Sequence, residues 1–322
     1  MTSPFVEKAL NRMKNIQNHV KPANDLEREF SKFTFDMDKV KAVVRTLRPD
    51  VLFKVQEAVD VYFKKNKLTN HILPKDEYRD ETNKYFLSVV KYLLKNKYIT
   101  AEEIMESPEQ FGRALMGVGS ANCSTTTKLC VQYFLYVKTI KNLGTEKHHE
   151  FLRRGAVCDD IGCFAMTELG HGSNVQSVET TAHYDHYTKT FVLNSPTDTS
   201  IKFWIGNLGK TASYAVTFAQ LYVGEKCHGV HCFLVPVRDT STHEAYEGCL
   251  IGDCGDKMGL QGIDNGWIKF TNYRIDKNML LNRFGDITDD GEYISSIQST
   301  NKRFAFLMAA LSGGRVIASS NA

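Results

Sequence analysis

Cys163-Phe-Ala-Met-Thr-Glu-Leu-Gly-His-Gly-Ser-Asn-Val-Gln-Ser-Val-Glu-Thr-Thr-Ala182 is the stretch on which the reading of this chain turns. An apolar run stops at Met166, Gly170 and Gly172 bracket His171, small hydroxyl and amide residues follow, and a polar β-rich pattern resumes at Glu179. A Gly-x-Gly segment lets the backbone turn sharply and leaves N–H groups open to a ligand. Thr167 and Ser173 add hydroxyls that donate or accept hydrogen bonds. The pattern suits a loop holding the polar edge of a flat ring, or a phosphate, against main chain. A plain turn between two strands is the competing reading.

The period of the apolar residues changes at this stretch. Upstream, residues 1–155 read as helices: Val51, Val55, Val59, Tyr62 and Phe63 recur at helical steps, as do Phe86, Val89, Val90, Leu93 and Leu94. Pro49, Pro74 and Pro108 fall where helices begin or connections run. Ser107-Pro-Glu-Gln110 reads as a capped helix start, and Gly144-Thr145 as the end of one helix and the cap of the next. Downstream, Thr180–Tyr184 and Thr190–Leu193 alternate around Asp185–Lys189 as a hairpin. Tyr214–Tyr222 and Val230–Val237 read as strands joined by Gly224–Gly229, and Trp267–Tyr273 alternates as one further strand. Residues 294–320 return to helix with Phe304, Leu307, Met308, Leu311 and Ile317 on one face, and that face has little within the chain to pack on. The fold class is α+β. The expected domains are 1–160 helical, 161–285 a small β-barrel or sandwich-like unit, and 286–322 the start of a second helical domain.

A chain of 322 residues with 42% hydrophobic and 24% charged residues is an ordinary globular composition with room for two cores. The net charge of +3 is too small and too dispersed to point to nucleic acid. No apolar run approaches the roughly 18 residues of a transmembrane helix, and the polar start is no signal peptide. The eight cysteines read as free thiols. Cys227-His-Gly-Val-His-Cys232 lies on an expected strand, where side chains alternate faces and four ligands do not converge on a metal. Gly206-Asn-Leu-Gly-Lys-Thr211 is not a phosphate loop, because a Walker A motif needs glycine where Trp204 stands.

Ala165-Met-Thr-Glu168 followed by Gly172-Ser-Asn174 resembles the flavin-binding signature of the acyl-CoA dehydrogenase superfamily. Gly170-His-Gly172 and Glu179-Thr-Thr-Ala182 are similar to its acyl-CoA oxidase branch, as are Leu193–Thr197, Trp204–Ala212 and Gly259–Gly266. The resemblance is clearest over residues 110–280. It implies that Ala165, Met166, Thr167, Glu168, Gly172, Ser173, Trp204 and Gly206 surround FAD, with Thr167 against the flavin ring. Gly206 stands where dehydrogenases carry threonine or serine, and the missing side chain implies room for O2. Ser173, Lys302, Arg303 and Arg315 are the implied contacts to acyl-CoA, in competition with a solvated helix start. The implied reaction turns acyl-CoA and O2 into trans-2-enoyl-CoA and hydrogen peroxide, in a peroxisomal homodimer. Its base, a glutamate, is expected beyond residue 322, so no catalytic residue is assigned and the chain reads as an N-terminal half. The alternatives are a dehydrogenase serving an electron-transfer flavoprotein, and a truncated non-catalytic binding or assembly subunit.

Overall fold

The computed structural model describes residues 75–98 and 123–308, with scattered single positions before and between them. The chain divides into two compact units, Met1–Pro49 and Asp50–Ala322, and the second holds every element described below. The helix start expected at Ser107, Arg315 and residues 309–322 of the expected C-terminal helix lie outside the described residues, as does most of the segment 51–63.

Helix α1 (Lys75–Lys95) buries Tyr85, Phe86, Val89, Val90 and Leu93, the three- and four-residue recurrence expected of one helical face. A second helical rod runs through α2 (Cys123–Cys130), a π-helical segment (Val131–Val137) and α3 (Lys138–Leu143). It stops at Gly144, where a Cβ would lie 2.5 Å from the Ile140 carbonyl oxygen. Thr145 then opens the next turn, its N–H donating to His148 Nδ1 at 3.1 Å and its hydroxyl to Asn282 at 2.8 Å. Helix α4 (His149–Ala156) delivers the chain to the first strand.

The strands are β1 (Gly162–Ala165), β2 (Thr181–Asp185), β3 (Thr190–Asn194), β4 (Lys202–Ile205), β5 (Tyr214–Val223), β6 (Lys226–Pro236), β7 (Cys249–Asp253), β8 (Gly266–Phe270) and β9 (Tyr273–Asp276). One short antiparallel pair, β10 (Asp286–Ile287) with β11 (Tyr293–Ile294), follows. Six strands form one sheet built on β5, and β4, β8 and β7 form a second. β5 is buried on both faces. Val216 and Phe218 pack with the helices, while Ala215, Ala219 and Leu221 pack with Cys249, Ile268 and Phe270 of the second sheet. A strand sandwiched in this way carries an almost unbroken apolar run.

The hairpin β2–β3 has the expected register, with Ala182 opposite Leu193 and Tyr184 opposite Phe191. Two other expectations need correction. The link after β5 is shorter than Gly224–Gly229: Gly224, at φ +58°, turns the chain and β6 starts at Lys226. Trp267–Tyr273 is not one strand, because Asn272 at φ +47° breaks it and sends β8 and β9 into different sheets. Asparagine tolerates that left-handed backbone better than its neighbours would. The C-terminal helix, present over 300–308, does find packing: Leu307 is buried, and Phe304 and Met308 join the helical core beside Leu281 and Phe284.

Candidate functional site

The two sheets and the helical rod leave a cavity of about 910 Å³ between them. Its apolar walls come from Val131 and Leu135 of the π segment, Phe164 and Met166 at the end of β1, Ile205 of β4, Ile263, and Met308. Thr167, Gly172, Ser173, Trp204 and Gly206 complete the wall on one side, and Lys257–Leu260 with Asn265 on another. Six of the eight residues implied for the cofactor, Met166, Thr167, Gly172, Ser173, Trp204 and Gly206, thus share one cavity. Ala165 and Glu168 lie behind its wall, fully or nearly fully buried.

The position of the signature loop follows from the sheet. β1 pairs in parallel with residues 214–217 of β5, and β2 pairs in parallel with residues 220–223 of the same strand. The chain between them, 166–180, is therefore pushed out of the sheet edge opposite Phe218 and Ala219. That interruption leaves carbonyl groups without ladder partners, and a buried side chain fills the gap. Lys202 Nζ donates to Phe218 O at 2.6 Å, Met166 O at 3.1 Å and Glu168 Oε1 at 2.9 Å. Glu168 also accepts from the N–H groups of Glu179 (2.7 Å) and Thr180 (2.9 Å) and from the Thr180 hydroxyl (2.6 Å). Burial opposes the charge on Glu168, but the Lys202 ammonium and these donors outweigh it and hold the carboxyl below its ordinary range. Burial also pulls the Lys202 ammonium down to about 8, with Glu168 opposing. The glutamate of the Met-Thr-Glu block is an anchor for the loop, not a base.

The Gly-His-Gly segment corrects the expectation of an open backbone at Gly170. The N–H groups of Leu169 and Gly170 donate to Ile201 O (2.8 Å) and Thr199 O (2.9 Å), and those of Glu168 and His171 pair with each other's carbonyls. Neither glycine has a positive φ. Gly170 is required by proximity, since a Cβ there would meet Thr199 Cβ at 2.9 Å, whereas Gly172 faces open space.

A second buried pair holds the other wall. Lys128 on α2 and Asp264 form an ion pair with both side chains fully buried. Asp264 Oδ2 accepts from the N–H groups of Lys210 (2.9 Å) and Thr211 (2.8 Å) and from the Thr211 hydroxyl (2.6 Å). Lys128 also donates to Thr211 Oγ1 at 3.0 Å. Two blocks read separately in the sequence, Gly206–Thr211 and Gly259–Gly266, are thereby one unit. The Lys-Thr dipeptide that invites a phosphate-loop reading serves a carboxylate of the same chain. Burial again opposes the charge on Asp264, and Lys128 with Thr211 and the backbone donors keeps its carboxyl below the ordinary range. The sequence carries only a faint sign of this pair: Lys128 falls on the buried face of α2, with Ser124, Thr125 and Leu129.

On the cavity wall, Thr167 donates its hydroxyl to Phe203 O at 2.8 Å, so toward the cavity that oxygen can act only as an acceptor. Trp204 is half exposed and holds φ +67°, and Asn207 holds φ +68°. A left-handed tryptophan is strained, and such strain gathers at functional sites. Gly206, between them, lines the cavity, with Val131 on one side of it. A Cβ placed there would lie 3.1 Å from Val131 Cγ2. Lys302 is exposed. Arg303 is buried, its guanidinium donating to Ile297 O (2.5 Å), Gln298 O (3.2 Å) and His228 O (2.8 Å).

Residues 163–273 match the family model for the acyl-CoA dehydrogenase middle domain. This chain is a relative of the peroxisomal acyl-CoA oxidases. It is 44% identical over 220 residues to acyl-coenzyme A oxidase 2 of Arabidopsis thaliana, covering 66% of this chain and 32% of that protein. It is 37% identical over 227 residues to human peroxisomal acyl-coenzyme A oxidase 3, covering 70% of this chain and 32% of that one. Its fold is that of acyl-CoA oxidase 1 from Yarrowia lipolytica, with TM-score 0.71 and 31% identity over 84% of this chain and 38% of that one. Acyl-CoA oxidase-2 of Caenorhabditis elegans, solved with FAD, ascaroside-CoA and ATP, gives TM-score 0.72 and 29% identity over 91% and 43% of the two chains. The chain thus spans about a third of the length of the curated relatives it matches, 32% in both cases quoted.

Proposed function

We propose that this chain forms the flavin-holding part of a peroxisomal acyl-CoA oxidase, which converts acyl-CoA and O2 to trans-2-enoyl-CoA and hydrogen peroxide. The observation that carries the reading is the convergence of Met166, Thr167, Gly172, Ser173, Trp204 and Gly206 on one cavity. The residues present suit the group. Apolar walls from Val131, Phe164, Met166 and Ile205 match a flat ring, and Trp204 stands at the rim for stacking. Thr167 presents an acceptor oxygen, fixed by its bond to Phe203, to a ring N–H. Bound there, FAD would supply the hydride acceptor for the substrate Cβ. No carboxylate lines the cavity among the described residues, and no residue of this chain is proposed as the base for the Cα proton, a role the resemblance gives to a glutamate of the second helical domain. In the same reading the chain comprises a helical domain (1–160), a β-domain (161–285) and the start of a second helical domain (286–322), and the enzyme works as a homodimer.

The test has two stages. The chain incubated with FAD and desalted is expected to retain the flavin, and Thr167→Val to weaken retention by about three- to tenfold, the equivalent of one hydrogen bond. Mixed anaerobically with an acyl-CoA, the loaded chain is expected to keep its flavin absorbance. Failure to retain FAD sinks the cofactor reading. Bleaching at an enzymatic rate sinks the assignment of the base.

A further inference from the structure

We infer that Val131 borders the side-chain space left free at Gly206, and that this valine, as much as the glycine, sets how close a small molecule can come to that wall of the cavity. The inference rests on the flavin reading for its consequence in O2 access, but its packing half stands on the geometry alone. A Cβ on Gly206 would meet Val131 Cγ2 at 3.1 Å and Ile263 Cγ2 at 3.8 Å. Val131 is itself buried and lines the cavity.

Neither partner is free to move away. Val131 opens the π-helical segment, and the next residue, Gln132, is tied at both ends of its amide. Gln132 Nε2 donates to Gly155 O (2.9 Å) and Asp160 O (2.8 Å), and Oε1 accepts from Gly162 N–H at 2.8 Å. On the other side, Asn207 follows Gly206 and donates its amide to Gly162 O at 3.3 Å and Lys128 O at 3.5 Å. The two groups of Gly162 thus clamp the neighbours of both residues. A π turn is rare, and where one occurs it commonly marks a functional position. Here it brings a branched side chain against the one residue of the Trp204–Gly206 segment without one.

The consequence concerns electron delivery. In the oxidase reaction O2 takes two electrons and two protons from the reduced flavin and leaves as hydrogen peroxide. The space at Gly206 and Val131 is where O2 would approach. Shortening Val131 widens it and lengthening Val131 closes it, with position 206 unchanged.

The experiment uses the FAD-loaded chain, reduced photochemically without acyl-CoA, so that no catalytic base is needed. Val131→Ala is expected to speed reoxidation by O2, and Val131→Leu to slow it, each by about tenfold, or roughly 1.4 kcal/mol on the barrier. Reoxidation by a bulky artificial acceptor is expected to stay unchanged. In parallel, thermal unfolding without cofactor compares Gly206→Ala, Val131→Ala and the double variant. The double variant is expected to lose less Tm than the two single losses added, because the shortened valine receives the new methyl. Additive losses together with unchanged O2 rates would overturn the inference. Loss of FAD from wild type and variants alike overturns the flavin reading instead. The two failures are distinguishable because the unfolding cycle needs no flavin.

Discussion

Two loops reach the cavity, 166–180 and 254–265, and each is held by a buried carboxylate, a buried lysine and a threonine. In the first, Glu168 joins Lys202 and Thr180, all within the β-unit and all at one interruption of the β1–β5–β2 edge. In the second, Asp264 joins Thr211 to Lys128, which comes from helix α2. The same chemistry does two different jobs. Glu168 and Lys202 mend a gap in one sheet, whereas Asp264 and Lys128 fasten the helical rod to the β-unit. The fates of the lysines differ too. Without Glu168, Lys202 keeps the Met166 and Phe218 carbonyls. Without Asp264, Lys128 keeps the Thr211 hydroxyl.

That contrast orders the expected losses. Asp264→Leu is expected to cost the most, about 4 kcal/mol in denaturant unfolding, since it strands a buried ammonium. Hydrogen exchange in that variant should quicken in both α2 and residues 207–212. Glu168→Leu is expected to cost about 3 kcal/mol, with two carbonyls still facing Lys202. Its faster exchange should stay within 166–180. Equal costs, or loosening of α2 by the Glu168 variant, would erase the distinction between a local mend and an inter-element fastening.

Acid should weaken both loops, with the sign fixed by linkage. The carboxyls of Glu168 and Asp264 are both held below their ordinary values in the folded chain. Their stabilising contribution is therefore complete above the unfolded carboxylate range, about pH 4, and is lost as pH falls through the folded values. Stability measured against pH should be flat near neutrality and drop in acid. Glu168→Gln should make that drop shallower, while an unchanged slope would remove Glu168 from the titration. The smallest effect is expected at the tip of the second loop. Met258 is fully exposed there, and Met258→Ser should change stability by less than about 0.5 kcal/mol. A larger loss would mean that the tip, and not only the Asp264 anchor, supports the loop.

The local pattern carries much of this protein. The helical face of α1, the hairpin β2–β3, the long pair β5–β6 and the cap at Thr145 each follow from spacing or turn chemistry within about ten residues. The Met-Thr-Glu and Gly-Ser-Asn blocks likewise identify the wall of the cavity, because each is one short segment. The sequence alone does not expose the partners of Glu168 and Asp264. Lys202 is 34 positions from Glu168, and Lys128 is 136 positions from Asp264. A buried charge is stable only where its counter-charge is delivered, and that delivery depends on how β5 receives both β1 and β2 and on where α2 docks. Val131 against Gly206 belongs to the same class. A glycine in a sequence records that a side chain is absent, and only the packed structure says what borders the space it leaves.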